Sequence, residues 1–419
     1  MRQGVPSTKR PKDKPMPPSP PATAPAGRAA PRASARFGRM GEENAFRVLG
    51  RADALRRGGA DIVNLGIGQP DFATPAHVCE AAIRAIRDGA HGYTPTTGLL
   101  ECREAVVRRT LQTTGVEVSP DNVVIVPGGK VTMHAAIMML GGPGRDVLVP
   151  DPGFPIYRSM VEFTGARAVA VPMEGPGGLV PTADGILSRI TPETSLVVLN
   201  SPANPTGGVM RRAEVDALAA GLADHPHVAV LSDEIYRAMT YDGVEAVSLL
   251  AHEHLRDRLI VLDGWSKTWA MTGWRMGWGI WPDALIDPMR KLAVNAWSCV
   301  NAPSQHAGIA AIDGPQDAAR EMMAAFARRR RLIVDGLNAL EGIACAEPEG
   351  AFYAFADVSA LGMPARELAS RWLEEAHVAS VGGPDFGPLG EGYVRFSFAA
   401  SEAAIGEALA RIGAWLERR

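Results

Sequence analysis

The chain holds 419 residues, 46% of them hydrophobic, enough for a large core and two domains. A formal net charge of -3 excludes a broadly basic nucleic-acid surface or a polybasic membrane surface. Cys79, Cys102, Cys299 and Cys345 lie far apart without metal-ligand spacing, and no apolar run could span a bilayer, so a cytoplasmic protein without disulfides or bound metal is expected.

Residues 1–40 are rich in Pro, Ala and Arg and nearly free of acids. Such a segment buries too little surface to offset its ordering entropy, so a disordered tail is expected there. From about Gly41 short, β-branched, apolar runs alternate with helical stretches. The runs are 122–127, 146–150, 195–200, 227–232 and 259–264; VTMHAAIMML and RAEVDALAAGLA are examples of the helices between them. Continuously apolar strands separated by helices predict an α/β fold with a mainly parallel sheet covered on both faces. After about Gly314 the pattern changes to one long helix, AAREMMAAFARRRRLIVDGLNAL, followed by what reads as a smaller α+β unit. The expected division is an arm at 41–71 that belongs partly to the small domain, a large domain at 72–313, and a small domain at 314–419.

Ligands of such sheets bind beyond the carboxyl ends of the strands. The polar motifs fall there: Gly128-Gly129-Lys130, Asp151-Pro152-Gly153-Phe154, Asn204-Pro205-Thr206-Gly207, Asp233-Glu234-Ile235-Tyr236 and Ser266-Lys267. The glycine pair before a helix can present N–H groups to a phosphate, or it can be an ordinary turn. Asp233 is either a helix cap or a carboxylate in a low-dielectric crevice that needs a cation. Asn204 is either turn chemistry or a ligand amide. Lys267 differs in kind. It ends a strand among Trp265, Trp269, Trp274 and Trp278, where burial lowers an ammonium pKa and frees the amine for Schiff-base chemistry. Arg275 adds a planar cationic fork suited to phosphate. A phosphate, an aromatic ring, a ring cation and an aldehyde together describe pyridoxal 5′-phosphate.

At this point the chain resembles the class I/II aminotransferases of the aspartate aminotransferase superfamily, fold type I, over nearly all of its length after Gly41. NLGIGQPDF, HGYTPTTG, the GGK turn, NPTGG, SDEIY, SKTWAMTGWRMGW and YVRFSF follow that family's order. The resemblance implies a sheet of the seven-stranded type in the large domain. It implies that Lys267 forms an aldimine with the cofactor and shuttles protons during ping-pong transfer of an amino group from an L-amino acid to a 2-oxo acid. Asp233 would pair with the pyridine nitrogen, and Asn204 and Tyr236 with the ring oxygen. Phe154 would stack on the ring. Gly128, Gly129, Lys130 (through backbone N–H) and Arg275 would hold the phosphate, with Ser266 as a further candidate. Arg395 would clamp the substrate α-carboxylate, with the Gly68 backbone and Asn204 nearby. Tyr93 would reach the phosphate of a second subunit, which implies a homodimer.

One departure concerns residue 264: many relatives carry a hydroxyl three before the lysine, and this chain has glycine. The same motifs also serve β-elimination (C–S lyases), cyclisation and racemisation, so they leave the reaction open within this scaffold. A DNA-binding regulator built on it would carry an amino-terminal helix-turn-helix, for which the proline-rich tail is too short and irregular. Ile67, Phe72 and Trp297 are the candidates for an apolar side-chain pocket. No second cation can be assigned to a distal carboxylate.

Overall fold

The computed structural model describes residues 31–175 and 180–419. The expectation of disorder for residues 1–30 lies outside the described residues. Within the rest of that span, Ala35–Arg39 forms a 3-10 turn. Its Phe37 ring meets Phe163 edge-on at 5.4 Å, and Arg39 donates to the Glu162 carbonyl at 2.9 Å.

Among the described residues there are thirteen strands in three sheets. β1 (Val63–Asn64) belongs to the smallest of them. The large sheet takes β2 (Val123–Val126), β3 (Asp146–Asp151), β4 (Arg167–Pro172), β5 (Thr194–Asn200), β6 (Ala229–Asp233), β7 (Leu259–Gly264) and β8 (Gly277–Ile280). Its spatial order is β2-β8-β7-β6-β5-β3-β4. β8 runs antiparallel to both of its neighbours, and the other pairings are parallel. The fold is therefore α/β with a mainly parallel seven-stranded sheet, as the sequence predicts. β4 and β8 were not legible as strands: β4 is a half-exposed edge, and the GWGI of β8 has glycine at every second position.

Side chains alternate between two cores, as the pleat requires. Val123, Ile125, Val197 and Leu199 join one apolar cluster, and Val124, Val126, Leu196 and Val198 join the other. Helices Lys130–Leu140, Ile156–Thr164 and Asp283–Ala296 carry residues of the second cluster; Leu100–Thr114 and Arg212–Leu222 carry residues of the first. Covering both faces is what allows these strands to be apolar throughout.

A third cluster surrounds the four-stranded antiparallel sheet of β9 (Ala344–Cys345), β10 (Tyr353–Asp357), β12 (Val381–Gly382) and β13 (Tyr393–Ser397). The long helix Asp317–Asn338 contributes Phe326, Ile333 and Leu337 to it. β1 pairs in parallel with β11 (Val378–Ala379), which carries the amino-terminal segment across to the carboxyl-terminal part of the chain. The four cysteines are all free. Among the described residues no helix is long and apolar enough to cross a membrane.

Candidate active site

The carboxyl ends of β2, β3, β5, β6 and β7 converge on a cleft of about 480 Å³, of the size that holds small ligands. Lys267, Ser266, Asp233, Tyr236, Asn204, Phe154, Lys130, Gly129, Gly68, Arg275 and Arg395 all line it.

Lys267 sits in the single helical turn Trp265–Thr268 that directly follows β7. Its Nζ donates to the Gly68 carbonyl oxygen at 2.7 Å and lies 5.8 Å from the Tyr236 ring centre. Burial brings the ammonium down to about 8, and Arg395, Lys130 and Arg275 push in the same direction against the opposing pull of Glu43. Gly68 thus offers the lysine an acceptor, which repels a carboxylate instead of binding it.

Asp233 closes β6 and is buried, 7% exposed. Burial raises its carboxyl to about 6, opposed by a hydrogen bond from the Tyr157 hydroxyl (2.7 Å) and one from the Ile235 N–H (3.2 Å). Tyr157 was not singled out from the sequence, although DPGFPIY places it one helical turn after Phe154 on the same face. The two rings meet edge-on at 5.6 Å.

Arg395 on β13 is 3% exposed, so burial lowers its pKa. Nη1 donates to Asn204 Oδ1 at 2.9 Å and Nη2 to the Gly66 carbonyl at 2.5 Å. The guanidinium packs over the Tyr353 and Phe386 rings at 4.5 and 4.7 Å. Its Nε is buried without a partner among the described residues, a donor left for a ligand. Tyr236 hydrogen-bonds the Tyr353 hydroxyl at 2.8 Å. Tyr353 is a second cleft residue that the sequence left unassigned.

The anion cradle depends on close backbone packing. Gly128 has φ +94°, and a Cβ there would lie 2.1 Å from Arg275 Nη2. A Cβ on Gly277 would lie 2.4 Å from the Gly129 nitrogen. Helix Lys130–Leu140 starts at this point; the Val131 and Thr132 N–H groups donate to the Gly128 and Gly129 carbonyls at 3.0 Å, while the Gly129 and Lys130 N–H groups stand at the positive end of the helix, where an anion is favoured. Gly264 has a similar cause: a Cβ there would come within 3.0 Å of Gly277 Cα and 3.1 Å of the Met276 carbonyl oxygen. A side chain at 264 would need these neighbours to give by a few tenths of an ångström, and Ser266, two residues on, lines the cleft.

Three expectations are not met inside the cleft of one chain. Tyr93 is 93% exposed and outside it. Phe72 packs on Phe326 (5.6 Å) and under Arg329 (4.8 Å), and Trp297 packs against the cluster on one face of the large sheet. Of the three pocket candidates only Ile67 lines the cleft, with Phe46 in the place of the others.

The class I and II aminotransferase family matches residues 60–412. Aspartate aminotransferase of Rhizobium meliloti is 36% identical over 398 residues, 92% of this chain and 97% of that protein. The structure of the Thermus thermophilus aspartate aminotransferase with maleate superposes with a TM-score of 0.86 at 35% identity, covering 92% of this chain and 99% of the other. An alanine aminotransferase from Pyrococcus furiosus gives 0.86 at 32% identity, covering 93% and 100%.

The chain belongs to the class I and II aminotransferases. It is a pyridoxal-phosphate-dependent enzyme of fold type I that transfers amino groups between amino acids and 2-oxo acids.

Proposed function

We propose that Lys267 is the catalytic lysine of a ping-pong exchange between an L-amino acid and a 2-oxo acid. The observation that carries this reading is its placement: Nζ lies in the cleft at a depressed pKa of about 8, with the buried Asp233 and Arg395 lining the same space. Bound pyridoxal phosphate supplies an aldehyde and an electron-withdrawing ring. The fit is supported by the glycine cradle, the Arg275 guanidinium packed against it and the buried carboxylate of Asp233.

Gly129 and Lys130 offer backbone N–H groups, and Arg275 its fork, to the phosphate; the Gly128 N–H, expected to join them, donates to the Val126 carbonyl at 2.7 Å instead, so Gly128 contributes the turn. Ser266 is close enough in the chain to add a hydroxyl. Asp233 accepts a hydrogen bond from the protonated ring nitrogen, and the Tyr157 hydroxyl keeps that carboxylate charged and oriented. Phe154 faces the ring, and Asn204 and Tyr236 serve its oxygen. Arg395, steered by Asn204 and the Gly66 carbonyl, binds the substrate α-carboxylate. Lys267 Nζ, released from the Gly68 carbonyl, takes and returns the proton at the substrate Cα; such positioned proton transfer is worth about 10²–10⁴-fold.

Tyr93 is exposed on its own subunit, which supports the homodimer in which it completes the partner's phosphate site. The same reading takes 72–313 as the large domain, and 314–419 with part of 41–71 as the small one. Four free cysteines support a cytoplasmic location. The relatives' names include both aspartate and alanine, so family membership leaves the amino donor open.

The test is Lys267→Ala, with purified protein supplied with cofactor and a panel of amino donors and 2-oxo acids. Turnover should fall by at least about 10²–10⁴-fold while circular dichroism stays unchanged. Wild-type turnover in a folded variant would reject the role.

A further inference from the structure

The charged groups lining the cleft are Glu43, Lys130, Asp233, Lys267, Arg275 and Arg395. The functional reading gives Asp233 to a ring nitrogen, Arg275 to a phosphate, Arg395 to an α-carboxylate and Lys267 to proton transfer. Two side chains remain, and they face each other. Lys130 Nζ lies 2.5 Å from Glu43 Oε2, with side chains 46% and 19% exposed.

Both placements are unusual enough to need a cause. Lys130 opens helix Lys130–Leu140, where the positive end of the helix dipole disfavours a cation, so an anion should lie close by. Glu43 caps helix Asn44–Arg57, yet its side chain makes no capping hydrogen bond and turns across the cleft to Lys130 instead. The ammonium also sits over two rings, 5.1 Å from the Phe154 centre and 5.4 Å from that of Phe46. Ile67 and Phe46 line the cleft beside the pair, so on the functional reading that gives the Phe154 ring to the cofactor this is the part of the cleft left for the substrate's side chain.

We propose that Glu43 is a specificity-determining residue. It occupies, from within the chain, the cation that a substrate's second carboxylate would need, so the site selects amino acids with uncharged side chains and disfavours dicarboxylic ones. This rests on the transamination reading of the cleft. The physical basis is competition. A tethered carboxylate is present at high effective concentration, and a diacid must either displace it or lie beside an uncompensated like charge. An uncharged side chain meets a neutral ion pair framed by Phe46, Ile67 and Phe154 and pays neither penalty.

The experiment compares holoenzyme half-reactions with L-aspartate and L-glutamate against L-alanine, L-leucine and L-phenylalanine, for the wild type and Glu43→Gln. The wild type should have its highest kcat/KM with an uncharged donor. Glu43→Gln should raise the dicarboxylic-to-uncharged ratio by about tenfold or more, the scale of removing a close like charge. Adding Lys130→Met should abolish that gain. A wild type that prefers aspartate or glutamate, or a ratio unmoved by Glu43→Gln, overturns the proposal. A second measurement needs no turnover: calorimetric titration of the holoenzyme with succinate and with butyrate. Glu43→Gln should tighten succinate and leave butyrate unchanged; equal succinate affinity in both proteins overturns the proposal. If no donor reacts at all, the transamination reading falls, and the succinate titration still decides the role of Glu43.

Discussion

The two ends of the cleft solve the problem of charge differently. At the floor, Asp233 and Arg395 are 7% and 3% exposed, and burial shifts the pKa of each toward its neutral form, as it does for Lys267. At the other end, Glu43 and Lys130 pair with side chains 19% and 46% exposed, and the Glu43 carboxylate also pulls on Lys267 and Arg395. A buried charge interacts strongly and is costly to leave unpaired, which suits groups that hold or move protons. A half-exposed cation such as Lys130 is partly screened and cheaper to re-pair, which suits a group that chooses among substrates. The floor is built from strand ends in the large sheet plus one strand of the small one. The other end uses the start of one helix and the cap of another.

The comparison is broken most severely by neutralising the floor. Asp233→Ala should cut kcat/KM by about 10²–10⁴-fold, since removing one partner of a buried charge pair costs about 3–5 kcal/mol. A loss below tenfold would mean that the carboxylate does not face the ring nitrogen. A smaller effect is expected at the cradle. Gly128→Ala drives a methyl into Arg275 and adds strain at φ +94°. Loss of a charge-assisted hydrogen bond, about 1.5–3 kcal/mol, should weaken cofactor binding by about 10–100-fold in a fluorescence titration. Unchanged affinity would remove Gly128 and Arg275 from the phosphate site.

The smallest effect sharpens the comparison without breaking it. Tyr157→Phe removes a donor that holds the Asp233 carboxyl down, so that group should protonate at higher pH. The acidic limb of kcat/KM should move upward, while the alkaline side changes by no more than about fivefold, the scale of one ordinary hydrogen bond. An acidic limb that stays in place would show that Tyr157 does not tune Asp233.

What could be read from the sequence was whatever lies close together along the chain. Lys267 follows Ser266 at the end of an apolar run, Asp233 ends another, and Gly128-Gly129 separates a strand from a helix, so residue type and position together suggest chemistry. Arg395 was legible through YVRFSF and the family resemblance. Tyr157 escaped because its partner, Asp233, belongs to another strand, and Tyr353 because its hydroxyl meets Tyr236 only after the small sheet docks on the large one. The Glu43–Lys130 pair escaped for the same reason: it joins the arm to the helix after β2, and although Lys130 belongs to the GGK turn, Glu43 has no local motif. Phe72 and Trp297 were misplaced because an aromatic near a motif is as well served by packing as by a pocket. Gly264 shows the converse: the close approach of Gly277 and the Met276 carbonyl, which favours glycine there, is invisible along the chain.

The antiparallel insertion of β8 between β2 and β7 has a consequence for biogenesis. With the phosphate held by Gly129 and Arg275 as proposed, half of its site arrives with the first strand of the sheet and the other half only with the last. A nascent chain that has made β2 through β7 therefore has the catalytic lysine ahead of it and no closed anchor to retain the cofactor. Loading must wait for the seventh strand to dock, and from then on bound cofactor stabilises only molecules whose sheet is complete.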